Sequence, residues 1–321
     1  MNDGLSTSPR PSGQGSPHSI IAYACSNAGP LQNGFGALQV PHLTAVLGKM
    51  RCVSQGSSAT DLVAGKFPES AYLMPHESAL QLWKHEAQLG CEVIMTPCHW
   101  QVGMNEVVML NPSEIQLKEE ESRALLAAIQ PYFAEDGIEV TYESPLVWRA
   151  KGAVFQDLTF AALDKVIGQH VNAWMPSSPL ARPLQRLQSE MQMLLYQHPV
   201  NDQRSLQGRW TVNSFWVHRN LAQLYASTFP AQVHLDLKEA TQQANPELWL
   251  QQWALLDRTV GQALLEALTA EKEVSLTLCS HTAWRHYRPQ SSSLWNSLQG
   301  LFKRVSLQQE FSALLEDAPN L

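Results

Sequence analysis

Hydrophobic residues recur at two spacings along this chain, and the spacings predict alternating strands and helices. Short apolar runs at 19–24 and 274–278 are typical of buried strands. Apolar residues three and four positions apart predict helices at 41–47, opened by a proline, and at 247–268. Strand and helix units near both ends of the chain therefore indicate an α/β fold.

A different pattern fills the region between these ends. Two strand-like halves joined by a polar turn are predicted within 92–109, and a helix is predicted at 114–133. Two further strands are predicted at 138–142 and 145–148. A strand pair, a helix and a second strand pair indicate a small α+β unit of its own.

The stretch from Leu187 to Trp216 combines a predicted helix with a group of polar side chains. The helix has leucine and methionine on one stripe, and Pro199 is expected to end it. A polar turn follows, and a strand is predicted over 212–217. We predict that this stretch delivers side chains to a site at a strand edge.

Composition and charge exclude two classes of partner. Hydrophobic residues make up 44% of the 321 positions, which is ample for a buried core. The formal net charge is -7 and no basic stripe is present, so we expect no nucleic-acid partner. No apolar run approaches the roughly 20 residues that span a bilayer, so we expect no membrane association.

The cysteines indicate the cellular compartment, and the composition of the N-terminal segment indicates disorder. The 5 cysteines are scattered and form no CxxC pair, which indicates neither a disulfide framework nor a zinc site. A reducing cytoplasm fits this usage best. Residues 1–17 are rich in Ser, Pro and Gly and are predicted to be a disordered tail.

The order of residues in the central stretch resembles a known enzyme family, the archaeal-type cofactor-independent phosphoglycerate mutases of the alkaline phosphatase superfamily. Within it, the chain looks most similar to a shortened proteobacterial group labelled regulatory protein RpfE. The residues that carry the resemblance are His198, Pro199, Val200, Asn201, Arg204, Gly208, Asn213 and Trp216.

The resemblance implies an alkaline-phosphatase-like sheet sandwich core, of α/β class, with a smaller inserted α+β domain. We accordingly expect the core at 18–89 and 180–321, and the inserted domain at 90–179.

The resemblance also implies a substrate site. The residues carried over as substrate-binding are Arg149, Asn201, Arg204 and Asn213, and the cleft candidates are His198, Trp216, His218 and His281. Arg149 and Arg204 are expected to face a shared cleft, because two guanidinium forks suit a phosphate group. Other interpretations stay open, since Arg149 also fits a solvated strand end and a lone histidine is more often structural.

Metal chemistry is where this chain departs from the mutases, in which two metals are held by several Asp and His ligands. Cys25 and Ser280 lie near the places where aspartates are expected, and they supply no hard anionic oxygen for a divalent cation. His281 alone matches a ligand position. We therefore expect no cofactor, with two divalent metals such as manganese as the alternative.

That alternative would need ligands relocated elsewhere in the chain, for which Asp236, Asp257 and His286 are candidates. The mutases also use a Ser or Thr nucleophile in a glycine-rich segment. The hydroxyl candidates here are Ser57, Ser58 and Thr60.

Three functions follow from these observations. The first is a non-catalytic protein, related to the mutases, that binds a phosphorylated small molecule or has a regulatory role. The second is an active metal-dependent phosphoglycerate mutase or phosphatase with relocated ligands. The third is a structural or interaction protein, and the sequence identifies no protein partner for it.

Overall fold

The structure is a computed structural model and describes residues 18–57, 66, 71–80, 91–104, 106–219, 231–290 and 307–316. The predicted tail at 1–17 and the hydroxyl candidates Ser58 and Thr60 lie outside these residues. Among the residues described, no helix is long and apolar enough to cross a membrane.

The strands group into three sheets, ordered β2-β11-β10-β1-β9, β6-β7-β3-β8 and β4-β5. In the first sheet β1 runs parallel to both β9 and β10. In the second sheet β3 pairs antiparallel with β7 and β8, and β6 pairs antiparallel with β7. The strands are β1 (His18–Ile21), β2 (Met50–Ser57), β3 (Glu92–Cys98), β4 (Trp100–Val102), β5 (Val107–Met109), β6 (Glu139–Ser144), β7 (Val147–Lys151), β8 (Ser214–His218), β9 (Ala231–His234), β10 (Ser275–Cys279) and β11 (Ala283–Pro289).

The helices alternate with these strands, which together form a protein of α/β class. The α-helices are α1 (Gly29–Gly34), α2 (Pro41–Gly48), α3 (Pro75–Leu80), α4 (Glu119–Glu135), α5 (Leu163–Val166), α6 (Val171–Trp174), α7 (Arg182–Tyr196), α8 (Pro199–Leu206), α9 (Lys238–Gln242), α10 (Pro246–Leu256), α11 (Gln262–Thr269) and α12 (Leu307–Glu316). A π-helical turn, Asp257–Gly261, joins α10 to α11. The predicted helix at 247–268 is therefore helical throughout but contains a π-helical segment.

The described residues divide into two compact units, the first drawn from Met1–Gln55, Pro230–Leu278 and Arg285–Ala313. Its parallel strands β1 and β10 are almost wholly buried, as their apolar runs predict. The aromatic rings of Phe35, Trp249, Trp253 and Phe311 form a cluster in this unit, in which ring centroids in contact lie about 5–6 Å apart. These contacts anchor α10 and α12 in the first unit.

The second unit is drawn from Gly56–Phe229, Cys279–Trp284 and Leu314–Leu321. Its core lies between the antiparallel sheet and the apolar faces of α4 and α7. The sequence placed residues 180–229 with the first unit, but β8 pairs with β3 in this sheet and α7 covers it. The boundary of the observed unit therefore differs from the predicted one because a long-range strand pairing decides it.

The connection after α7 also differs from the prediction. Pro199 was expected to end one helix and to be followed by a polar turn. It ends α7 but also occupies the first turn of a second helix, α8, where a proline loses no hydrogen bond. Asn201 and Arg204 therefore lie on a helix and are buried there.

Candidate functional site

The guanidinium of Arg204 forms hydrogen bonds with three other residues of the protein. Its side chain is 0% exposed. The guanidinium donates to Trp210 O at 2.7 Å, to a carboxylate oxygen of Glu121, and to the carbonyl of Ile115. Arg204 thus stabilises the packing of α8 against α4.

Glu121 completes this group, which we call the Arg204 network (Arg204, Arg209 and Glu121). Arg209 donates to Glu121 Oε1 at 2.8 Å, and the Lys118 amide donates to Glu121 Oε2 at 3.0 Å. Burial alone would raise the pKa of Glu121, but the Lys118 amide and the two arginines outweigh burial and lower it. The carboxylate is therefore held ionised, between two cations.

The side-chain amides of the two predicted asparagines form hydrogen bonds with backbone N–H and C=O groups of other segments. Asn201 donates to the carbonyls of Leu195 and Val212, each at 2.7 Å, and accepts from the Val212 amide at 2.9 Å. Asn213 accepts from the Trp100 amide at 2.7 Å and donates to the Trp100 carbonyl at 2.9 Å. Both side chains fix the path of the chain into β8.

The four cleft candidates have structural contacts of their own. His198 caps α8, because its Nδ1 accepts from the Val200 amide at 3.2 Å, and burial lowers its pKa. Trp216 is buried and donates to a carbonyl oxygen at 2.9 Å, and His218 Nε2 lies 3.0 Å from a threonine hydroxyl of β3. His281 is exposed, and its carbonyl accepts from Lys165 Nζ at 3.4 Å.

Arg149 lies on β7 with its side chain 47% exposed and pairs with Glu143 of β6. This is the solvated strand-end position left open by the sequence. Arg149 and Arg204 thus have opposite surroundings, one in solvent and one in the core.

Neither residue at the expected aspartate positions suits a hard metal ion. Cys25 is buried, its thiol donates to Phe311 O at 3.9 Å, and burial raises its pKa well above the usual range. The hydroxyl of Ser280 accepts from the Ala283 amide at 2.9 Å and from the Thr282 amide at 3.3 Å, so it shapes a turn. A neutral thiol and an engaged hydroxyl are poor ligands for manganese.

The relocated ligand candidates do not gather into a metal site either. Asp257 accepts from the Leu43 amide at 2.8 Å and lies 2.8 Å from His42 Nδ1, so it caps α2. His286 Nδ1 lies 2.8 Å from the Thr277 hydroxyl, and burial lowers its pKa to about 4. Over the described part of the chain, no three or more His, Cys, Asp or Glu side chains are grouped as metal ligands would be.

The second unit contains a cavity of about 660 Å³ whose longest wall is one face of α7, and we call it the α7 cavity. Successive helical turns of α7 contribute Gln185, Gln188, Ser189, Gln192 and Tyr196. The adjacent face of α7 carries the leucines and Met191 that pack into the core. The spacing of three and four residues was visible in the sequence, but polar side chains at that spacing are typical of a solvated face.

Other elements close the cavity. Trp100 of β4, Asn213 before β8, Asn172 of α6, three valines and Met175 line it together with Lys66. Lys66 Nζ donates to Met175 O at 3.2 Å, and the Tyr72 hydroxyl donates to the same carbonyl at 3.3 Å. Among the described lining residues Lys66 is the one charged side chain, so the cavity is positive within a chain of net charge -7.

Gln188 of α7 carries a buried acceptor for which no described residue supplies a donor. Its side chain is 4% exposed, and Nε2 donates to Phe215 O at 3.3 Å. The end of the amide that meets a carbonyl must be the NH₂ group, so the opposite end is the oxygen. No described residue donates to that Oε1. A buried acceptor without a donor costs about 1–3 kcal/mol.

Comparisons with known proteins give distant structural similarities. No family model matches the chain, and no curated protein matches it. The solved structures that are similar include a cofactor-independent phosphoglycerate mutase from Thermoplasma acidophilum DSM 1728, with 13% sequence identity over 87% of this chain and 91% of that chain, at a TM-score of 0.33. They also include the PH0037 protein from Pyrococcus horikoshii, with 10% identity over 86% of this chain and 88% of that chain, at a TM-score of 0.43.

Proposed function

We propose that this chain is a non-catalytic, phosphoglycerate mutase-like protein that binds a small phosphorylated metabolite in the α7 cavity. The observation that carries the proposal is the composition of the cavity wall: a lysine, several neutral amides and, among the described lining residues, no carboxylate. A carboxylate in the wall would repel a phosphate, whereas a lysine attracts it. Metabolite binding of this kind suits a regulatory role.

The chemistry at the two aspartate positions supports the non-catalytic part of the proposal. Two-metal phosphoryl transfer requires anionic oxygens that hold both cations. Cys25 and Ser280 supply none, and Ser280 is already occupied by the amides of its own turn. The family assignment, including the alkaline-phosphatase-like core and the link to the RpfE group, rests on the residue order around Asn201 and belongs to this proposal.

Location in the reducing cytoplasm is also part of the proposal. All of the cysteines are free thiols: Cys25, Cys52, Cys91, Cys98 and Cys279. Metabolites of central metabolism are present in that compartment, which fits a small phosphorylated ligand.

Calorimetric titration with 3-phosphoglycerate tests the binding. We expect binding to wild-type protein and a loss of roughly tenfold in affinity for Lys66→Gln, because one charge-assisted bond to phosphate contributes about 1.5–3 kcal/mol. Lys151→Gln is the matched control, since Lys151 is exposed on β7 and pairs loosely with Glu92 at 3.8 Å. No heat with phosphorylated ligands at millimolar concentration would favour the structural or interaction protein.

Metal analysis and an activity assay distinguish the proposed non-catalytic protein from an active metal-dependent mutase or phosphatase. We expect no stoichiometric manganese or zinc in the purified protein and no interconversion of phosphoglycerates with added manganese. Two tightly bound metals per chain together with turnover would establish the active mutase or phosphatase instead.

A further inference from the structure

We infer that a groove in the first unit takes an extended, basic segment of a partner protein, which adds to the sheet beside β9. The groove has a volume of about 950 Å³ and is lined by β9, by Ser19 of β1 and by the helices α10 and α11, and we call it the β9 groove. Its lining residues all belong to the first unit, so this surface is independent of the α7 cavity.

The backbone of β9 offers hydrogen-bonding groups along one wall of the groove. Among the strands described, β9 is the last of its sheet and pairs with β1 on one side. His234 O accepts from the Ala22 amide at 3.0 Å, so the backbone groups of His234 point towards β1. Successive residues of a strand point these groups to opposite edges, and Val233 therefore presents its N–H and C=O on the other side. An edge of this kind is a template for a further strand.

The side chains of the groove leave room for such a strand. Gln232 and His234 lie two residues apart and thus share one face of β9, which Ser19 continues on β1. The exposed lining residues of the helical wall follow one another at three- and four-residue steps: Leu255, Thr259, Ala263, Glu266 and Ala270. The buried lining residues of that wall are apolar: Leu256, Val260 and Leu264. Most of these side chains are short or aliphatic, so an extended chain fits beside β9 and buries apolar surface there.

The charge of the groove selects a basic occupant. Three carboxylates line it, those of Asp236, Glu266 and Glu273, against the one ammonium group of Lys272. Within the described ranges, none of the three carboxylates forms an ion pair with a lysine or arginine. Glu266 accepts from Gln262 Nε2 at 2.9 Å, a neutral donor that leaves the negative charge uncompensated. Lysine or arginine side chains of a partner would compensate these charges, whereas an acidic segment would be repelled.

The positions of the carboxylates fit a strand whose cations stand at its two ends. Asp236 follows the C-terminal end of β9, and Glu273 precedes β10, which runs parallel to β9 because β1 is parallel to both. The two carboxylates therefore lie towards opposite ends of the groove. Every second side chain of an added strand points to the same face, so a basic, apolar and basic residue at alternate positions match the groove.

The test measures the fluorescence anisotropy of a dye-labelled peptide, Lys-Thr-Val-Thr-Lys with both ends capped, during titration with the full chain. We expect saturable binding that is at least roughly fivefold tighter than that of Glu-Thr-Val-Thr-Glu and that weakens with added salt. A version of the basic peptide with methylated backbone nitrogens keeps the side chains but loses the N–H donors. It should bind roughly fivefold or more weakly, because strand addition needs those donors.

Variants of the protein locate the binding. The triple variant Asp236→Asn, Glu266→Gln and Glu273→Gln should lose roughly tenfold in affinity for the basic peptide, because three exposed charge pairs each contribute a few-fold at most. The three side chains are exposed, so the fold should be unaffected. Glu247→Gln is the matched control, since Glu247 is exposed in the first turn of α10 and does not line the groove.

Each contrary result has a definite meaning. No binding of the basic peptide at millimolar concentration, or binding that the triple variant leaves unchanged, overturns the inference. Equal binding of the methylated peptide overturns the pairing with β9, and equal binding of the acidic peptide overturns the charge selection.

Two other occupants of the groove would also be detected. If a synthetic peptide of residues 1–17 binds more tightly than the probe and displaces it, the occupant is the N-terminal segment of the chain itself. If the full chain forms a dimer in sedimentation that the basic peptide dissociates, the occupant is a second copy. Either result overturns the assignment to a partner protein.

Discussion

The guanidinium of Arg204 and the side-chain amide of Gln188 lie in neighbouring helices of one stretch, and both are buried. The protein satisfies the first through Glu121, Ile115 and Trp210, and it leaves the oxygen of the second without a donor. The paired charge holds α8 against α4, whereas the unpaired oxygen of Gln188 carries a desolvation cost that no described residue offsets. In this stretch the buried charge is therefore fully paired, and the buried neutral amide is only half paired.

The largest effect is expected from Arg204→Gln, which leaves the carboxylate of Glu121 without its buried partner. Removing one member of a buried ion pair costs about 3–5 kcal/mol, and chemical denaturation should show a loss of that order. Arg209→Gln is the milder control, because its side chain is 24% exposed. If Arg204→Gln instead kept the stability of the wild-type protein and lost binding of 3-phosphoglycerate, Arg204 would be a ligand-binding residue.

The pH dependence of the Arg204 network is the next largest effect. The folded pKa of Glu121 is lowered, so its stabilising contribution is present above the ordinary glutamate pKa of 4.5 and is lost as the pH falls through the folded value. Wild-type protein should thus be more stable than Glu121→Gln near neutral pH, and the difference should be largest there. The free energies of unfolding of the two proteins, measured from pH 7 to pH 3, should converge as the pH falls. A difference that does not change with pH would show that the titration of Glu121 does not contribute to stability.

Gln188→Met should change the free energy of unfolding by no more than about 1 kcal/mol. The variant loses the bond to Phe215 O, but it also removes an oxygen that no described residue satisfies, and the two effects oppose each other. Denaturation of the ligand-free protein measures this. A loss comparable to that of Arg204→Gln would mean that the amide belongs to the structural framework.

The smallest effect is expected from Arg149→Gln. Its pair with Glu143 is close to half exposed on both sides, and exposed pairs contribute about 0–1 kcal/mol. Neither the melting temperature nor affinity for 3-phosphoglycerate should change measurably. A clear loss of affinity would restore Arg149 as the substrate-facing arginine of the original prediction.

Much of the local structure was predictable because it depends on neighbouring residues. The apolar runs predicted β1 and β10, and apolar spacing predicted α2 and most of α4. It also predicted the extent of α10 and α11 together, but as one continuous helix. The second helix at Pro199 was not predicted, since a proline marks a helix start as readily as a helix end. The caps formed by His198 and Asn245 lie within three residues of the amides they accept from, which makes them local features as well.

The candidate site depended on contacts that local patterns do not contain. By itself, the sequence determined the order of the elements, the charge of the chain and the chemistry at Cys25 and Ser280. The tertiary structure decided which polar groups are satisfied, because Arg204 meets Glu121 83 residues earlier in the chain. It also decided that Trp100 and Lys66, which are distant in sequence, line a cavity together with the polar face of α7. Burial of a polar side chain is a property of the assembled unit, and no spacing along the chain encodes it alone.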